Sequence, residues 1–205
     1  MRMFRCKHLM VNIVLFGFFI VQGTYGVHPA WAGAKIVSGG GYDAGSDMAR
    51  RFLLTDHNGQ SVSNETFFGS YLIVYFGYTH CPDICPTSLQ TFTEVLENLG
   101  DDADKIQVAF ITVDTERDTP ERMKEYVEHF DPRIVGLTGS ETHIRAAASA
   151  YKIRYDKIMT EETDYEVDHS SSAIFMGPNG RFLTRWGYGT SVDAITKDIG
   201  MFLQK

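Results

Sequence analysis

Two apolar runs, Tyr71–Phe76 (YLIVYF) and Ile106–Val113 (IQVAFITV), are continuous rather than alternating, and both are rich in aromatic and β-branched side chains. Strands of that kind must be covered on both faces, which places them inside an α/β sheet. Between them Leu89, Phe92, Leu96 and Leu99 recur at helical spacing, and Gly100 follows as a stop. Strand, helix and strand in that order point to parallel strands in an α/β sheet with helices on both faces. The pattern then repeats. Thr119 caps and Pro120 opens a helix running to about Phe130, Ile134–Thr138 is a third strand, and Ser140 caps an alanine-rich helix ending near Tyr151.

Hairpins flank this centre. FLLTDHNGQSV, from Phe52 to Val62, reads as two strands about an Asn58-Gly59 turn, and Ala173–Met176 pairs with Phe182–Trp186 across GPNGR. Val192, Ile195, Ile199 and Phe202 stripe a last helix. The expected fold is α/β, a central mixed sheet flanked by helices with an N-terminal hairpin, spanning residues 51–205.

The start of the chain differs in kind. Arg2, Arg5 and Lys7 precede an apolar stretch from Leu9 to Val21, and Ala30-Trp31-Ala32 supplies small residues at cleavage-site spacing. Residues 1–32 therefore read as a signal peptide or retained signal anchor, and the five glycines of Gly33–Ser46 make residues 33–50 a flexible linker. Either way the rest is exported, to a periplasmic or equivalent compartment, free or held at the membrane. Removing residues 1–32 takes away three basic and no acidic residues, moving the net charge from −7 to −10. So acidic a domain is poorly suited to nucleic acid.

Of three cysteines, Cys6 lies in the basic leader, which leaves Cys81 and Cys85 in YFGYTHCPDICPTS. A domain large enough to pack its own core gains little from a staple across so short a loop, because closing it removes little unfolded-chain entropy. The pair sits between a parallel strand and the helix after it, at the carboxyl end of the sheet, where α/β sites gather. A helix start there is expected to lower both thiol pKa values. Two inert thiols, a redox pair and a metal clamp all remain open. CPDIC has one more intervening residue than the thioredoxin dithiol, which widens the gap between the sulfurs.

A metal would need further ligands. His57, His129 and His143 read as surface residues, and His80 should point away from Cys81. His169 ends DYEVDH just before the serine-rich SSSAIF, on a loop feeding a strand beside the central ones. Two thiolates and one imidazole suit Cu(I) better than a closed four-ligand zinc site.

YFGYTHCPDICPTSL, VDTERDTPERMKEYV and DYEVDHSSSAIFMGPNGRF together resemble the SCO/SenC family of copper-binding proteins that assist assembly of cytochrome c oxidase. The resemblance runs in consistent order from about Phe52 to Leu203. It implies a thioredoxin-like fold and a copper ion held by Cys81, Cys85 and His169, with a Cys81–Cys85 disulfide when oxidised. It also places Asp114 and Asp118 beside the metal. Asp114 is expected to orient a ligand or partner from behind, and Asp118 to serve as little more than a helix-start residue. The implied partner is oxidase subunit II or another copper protein, served by an upstream copper donor and a dithiol reductant. The implied role is a metallochaperone rather than an enzyme. Reduction of that site's cysteines by the same dithiol, or redox or copper sensing, are the alternatives. No proline occurs between Pro132 and Pro178, where a thioredoxin-type reductase carries its cis-proline, and this favours metal handling over general exchange.

Overall fold

The computed structural model describes residues 51–160 and 164–204. The export segment expected over 1–32 and the linker over 33–50 lie outside the described residues. Among those described, no helix is long and apolar enough to cross a membrane.

Among the described residues, nine strands and four α-helices follow one another as β1 (Leu53–Asp56), β2 (Ser61–Ser63), β3 (Tyr71–Gly77), α1 (Ile84–Leu99), β4 (Ile106–Thr112), α2 (Pro120–Val127), β5 (Ile134–Thr138), α3 (Glu141–Ala150), β6 (Tyr155–Thr160), β7 (Asp164–His169), β8 (Ala173–Met176), β9 (Phe182–Trp186) and α4 (Val192–Leu203). Seven strands form one sheet in the order β2-β1-β5-β4-β3-β8-β9. β3, β4 and β5 run parallel, while β1 and β8 join that set antiparallel. This is the mixed sheet expected from the apolar runs. Its two central strands are buried on both faces, with Ile73, Val74, Phe76, Val108, Ala109, Phe110 and Ile111 all without solvent contact.

Ring contacts sort the helices between the faces, since alternate strand residues point to opposite sides. Tyr75 packs on Phe92 of α1 and stacks on Phe110, which meets Tyr126 of α2, while Phe175 meets Phe202 of α4. On the opposite face Phe76 packs on Tyr151 at the end of α3. Thr119, Ser140 and Ser191 each accept a backbone hydrogen bond from the first turn of α2, α3 and α4, as N-caps do. α2 stops at Val127 rather than near Phe130. The residues after it turn through bonds that reach back three residues, His129 N to Tyr126 O at 3.4 Å and Phe130 N to Val127 O at 3.1 Å, before Asp131-Pro132.

Two expectations change. His57 is half-buried rather than a surface residue, and its Nδ1 accepts the Gly136 amide at 3.0 Å, stitching the first hairpin to β5. The segment between α3 and β8 is not a plain loop: β6 and β7 form a separate two-stranded antiparallel ribbon, with Tyr155 opposite His169 at its base. Most side chains of β6 are exposed, so that strand carries no apolar alternation for sequence reading to find, and the short alternation of Tyr165 and Val167 on β7 stands alone.

Candidate metal centre

Register alone brings the distant segments together. β3 and β4 are parallel from Tyr71↔Ile106 to Gly77↔Thr112, so the loops carrying Cys81 and Asp114 leave the sheet at the same end. β8 is antiparallel to β3 with Ile174 opposite Val74, so the chain enters β8 at that end too. His169, four residues before β8, must arrive beside the cysteine loop.

Cys81 and Cys85 are both free thiols, the first half-buried and the second fully buried. α1 is capped unusually. Asp83 stands at the N-cap but its carboxylate caps no first-turn amide, and the Cys81 sulfur takes the Cys85 amide instead, at 3.5 Å. Cys85 Sγ lies 3.4 Å from His169 Nε2. The ligand atoms of Cys81, Cys85 and His169 all fall within 4.8 Å of one another. On the other side of the ring, His169 Nδ1 meets the Ser170 carbonyl at 3.2 Å. A carbonyl only accepts, so Nδ1 donates there, and Nε2 is the ring nitrogen that faces the sulfurs. Tyr75 and Tyr78 pack edge-on against the imidazole at 6.4 and 6.0 Å between centroids, which holds its plane.

The two thiols are not lowered together. The Cys85 thiol, hydrogen-bonded to Cys81, holds the Cys81 pKa down to about 3, helped by His169 and by the amides of Asp83 and Cys85. Cys85 moves the other way, raised by its hydrogen bond to Cys81 and by burial. The helix start therefore stabilises one thiolate rather than two, because the second proton is shared between sulfurs already in contact.

Gly77 makes room for this pair. A Cβ there would stand 2.7 Å from Cys85 Sγ and 2.8 Å from the Phe110 ring. Gly77→Ala is expected to destabilise the fold by about 1–3 kcal/mol through overpacking and to expose the Cys85 thiol. Thermal melting with alkylation rates of the two thiols checks it; unchanged melting and unchanged rates would show the space is not needed.

The acidic segment lies behind the site rather than in it. Asp114 is fully buried, paired with Arg117 Nε, and accepts the Tyr165 hydroxyl at 2.8 Å. Asp118 is more than a helix-start residue. Its carboxylate, also fully buried, accepts Thr79 N at 3.0 Å, Thr79 Oγ1 at 2.7 Å and Thr112 Oγ1 at 2.6 Å. His80, as expected, points away from the sulfurs, with Nδ1 3.7 Å from Asp118. His80, Asp114 and Asp118 come as close together as a metal site requires. Their oxygens are taken up by internal donors, however, and Arg117 and Arg122 already bring positive charge to that side. His129 and His143 are exposed, as expected. Sequence reading did not single out Tyr75, Tyr78, Arg117 or Tyr165; each is a residue type common in cores and on surfaces, and only the register reveals its neighbours.

Comparison with known proteins shows which family the chain resembles over most of its length. The family profile described as SCO1/SenC matches residues 41–204. A SCO2-like protein of Rickettsia felis is 37% identical over 165 residues, covering 80% of this chain and 78% of that protein. The crystal structure of Arabidopsis thaliana ScoI with copper bound superposes with a TM-score of 0.72 at 35% identity, covering 75% of this chain and 96% of that one. BsSco, described as a member of the Sco family of cytochrome c oxidase assembly proteins with a disulfide switch, superposes at 0.59 with 26% identity, covering 75% and 91%. The thioredoxin-like fold expected from the sequence is the fold these structures share.

Proposed function

The chain belongs to the SCO1/SenC family, and on that premise we propose that it is an exported copper chaperone in which Cys81, Cys85 and His169 hold the ion jointly. The observation that carries this reading is the clustering of two sulfurs and one imidazole nitrogen within 4.8 Å, contributed by segments 84 residues apart. That donor set fits Cu(I), a soft ion content with few ligands, and among the described residues no fourth protein donor joins it for a closed zinc site. The copper-bound plant relative and the assembly role stated for the Sco family support the choice of cargo and pathway.

Cys81 is half-buried and already acidic, so it is the sulfur that an incoming partner ligand meets first, whereas Cys85 is sealed beneath it. Copper would pass by stepwise ligand exchange to oxidase subunit II or another copper protein, after loading from an upstream donor with the dithiol kept reduced. Residues 1–32 would direct export and, if retained, anchor the domain at the membrane of a periplasmic or equivalent compartment.

A second reading is favoured by the same asymmetry. A half-buried thiolate over a buried thiol is the arrangement of an attacking and a resolving cysteine. Cys81 would attack a partner disulfide and Cys85 would displace the mixed disulfide, sending two electrons to the partner and leaving a Cys81–Cys85 disulfide.

Titration of the reduced protein with Cu(I) tests the first reading: saturation at one ion per chain, and a loss of roughly tenfold or more in affinity in His169→Ala, are expected. Wild-type affinity in that variant, with disulfide-reductase turnover intact, would replace the chaperone by the exchange reading.

A further inference from the structure

We propose that the segment Asp114–Asp118 is a brace that keeps the two ligand-bearing arms in register, and that Arg117 and Tyr165 are positioning residues for His169. The inference rests on the reading of Cys81, Cys85 and His169 as joint ligands.

The need for a brace follows from topology. The β6–β7 ribbon shares no ladder with the seven-stranded sheet, so the register of β8 on β3 brings His169 to the cysteine end of the sheet but does not fix where its ring sits. Side chains must do so. On β7, Tyr165, Val167 and His169 share one face, and Val167 is buried while Glu166 and Asp168 on the other face are exposed. The face that presents the imidazole is therefore the face docked on the domain.

Tyr165 is the far end of that face, about 13 Å from His169 at strand rise. Its hydroxyl donates to Asp114 Oδ1, Arg117 Nη1 donates to its carbonyl at 3.4 Å, and the Arg117 guanidinium lies 3.9 Å from its ring centroid. Arg117 is itself paired with Asp114, which closes the triangle. Next to it Lys157 of β6 pairs with Glu116 at 2.7 Å. Near the base of the ribbon, Ser170 N donates to Arg154 O at 2.9 Å and Arg154 N to Ser170 Oγ at 3.1 Å, bonds that act within the ribbon and not on the domain.

The other arm is held from the same few residues. Asp118 takes the amide and hydroxyl of Thr79, two residues before Cys81, and Thr138 Oγ1 donates to the Asp118 carbonyl at 2.8 Å, tying the segment to β5. One short stretch thus grips the cysteine loop through Asp118 and the histidine ribbon through Asp114 and Arg117. Loosening Asp114 or Arg117 should free the imidazole while leaving the dithiol in place.

Two measurements on the full chain, each with Tyr165→Phe and with Arg117→Gln, test this. Tyr165→Phe keeps the ring and the Asp114–Arg117 pair, so it stays folded even if Arg117→Gln does not. In the copper-free reduced protein, amides of β7 are expected to exchange hydrogen roughly tenfold faster, with those of β3 and β4 unchanged. In Cu(I) titrations each variant should lose affinity in the wild-type background and lose nothing further when combined with His169→Ala. Unchanged β7 exchange, or equal losses of affinity with and without His169, would overturn the brace. If His169→Ala alone binds copper like wild type, the ligand reading fails instead, and hydrogen exchange still decides whether the clamp on the ribbon exists.

Discussion

Cys81→Ser and Cys85→Ser are each expected to weaken Cu(I) binding by well over a hundredfold, measured by competition with a Cu(I)-specific chromophoric chelator on the reduced protein. Outer-shell partners of a metal typically contribute about 10–100-fold each, and a sulfur in direct contact with a soft ion must contribute more than that. A serine hydroxyl keeps the volume but is a hard, neutral donor at these pH values, so the exchange removes softness and charge together. The serine variants should otherwise fold normally, since neither thiol is in a disulfide. The Cys85 change is the more telling, because that sulfur is buried against Gly77 and contacts both Cys81 and His169. Affinities within threefold of wild type would remove the dithiol from the account.

Asp118→Ala should produce the largest loss of stability of any polar substitution near the site. It strips the acceptor from Thr79 N, Thr79 Oγ1 and Thr112 Oγ1 at once, in a position with no solvent access. An unsatisfied buried donor costs about 1–3 kcal/mol, and the two hydroxyls can partly recover by rotating. A loss of roughly 3 kcal/mol follows, or about 6–12 °C in melting temperature for a domain of this size. Differential scanning calorimetry of the reduced protein reads it directly. A melting temperature within about 2 °C of wild type would mean the cysteine loop does not depend on this carboxylate. Asp118→Ala should also weaken copper binding, since Thr79 leads directly into the Cys81 turn.

Much of this was legible in the chain itself, and the reasons differ from element to element. YLIVYF and IQVAFITV announce doubly covered strands because burial on both faces leaves no polar alternation, and β3 and β4 are those strands. Thr119-Pro120 and Ser140 mark helix starts because a hydroxyl acceptor is the simplest way to satisfy a first-turn amide, and both do so. The ribbon of β6 and β7 escaped because little of it beyond Tyr155 and Val167 is apolar and buried, and much of its hold on the domain is an ion pair, a guanidinium stack and a phenol. Asp118 escaped for a different reason: an acid just before Thr-Pro looks the same whether it merely favours a helix dipole or accepts three buried hydrogen bonds. The approach of His169 to Cys85 depends on how β8 registers against β3, a long-range pairing that local pattern does not encode.

X-ray absorption at the copper edge of the Cu(I)-loaded, reduced protein, recorded beside His169→Ala, bears most directly on the shared site. Two sulfur neighbours and one imidazole nitrogen around a single copper, with the nitrogen shell missing in the variant, is the predicted result. A wild-type spectrum with sulfur neighbours alone, or one that His169→Ala leaves unchanged, would contradict it.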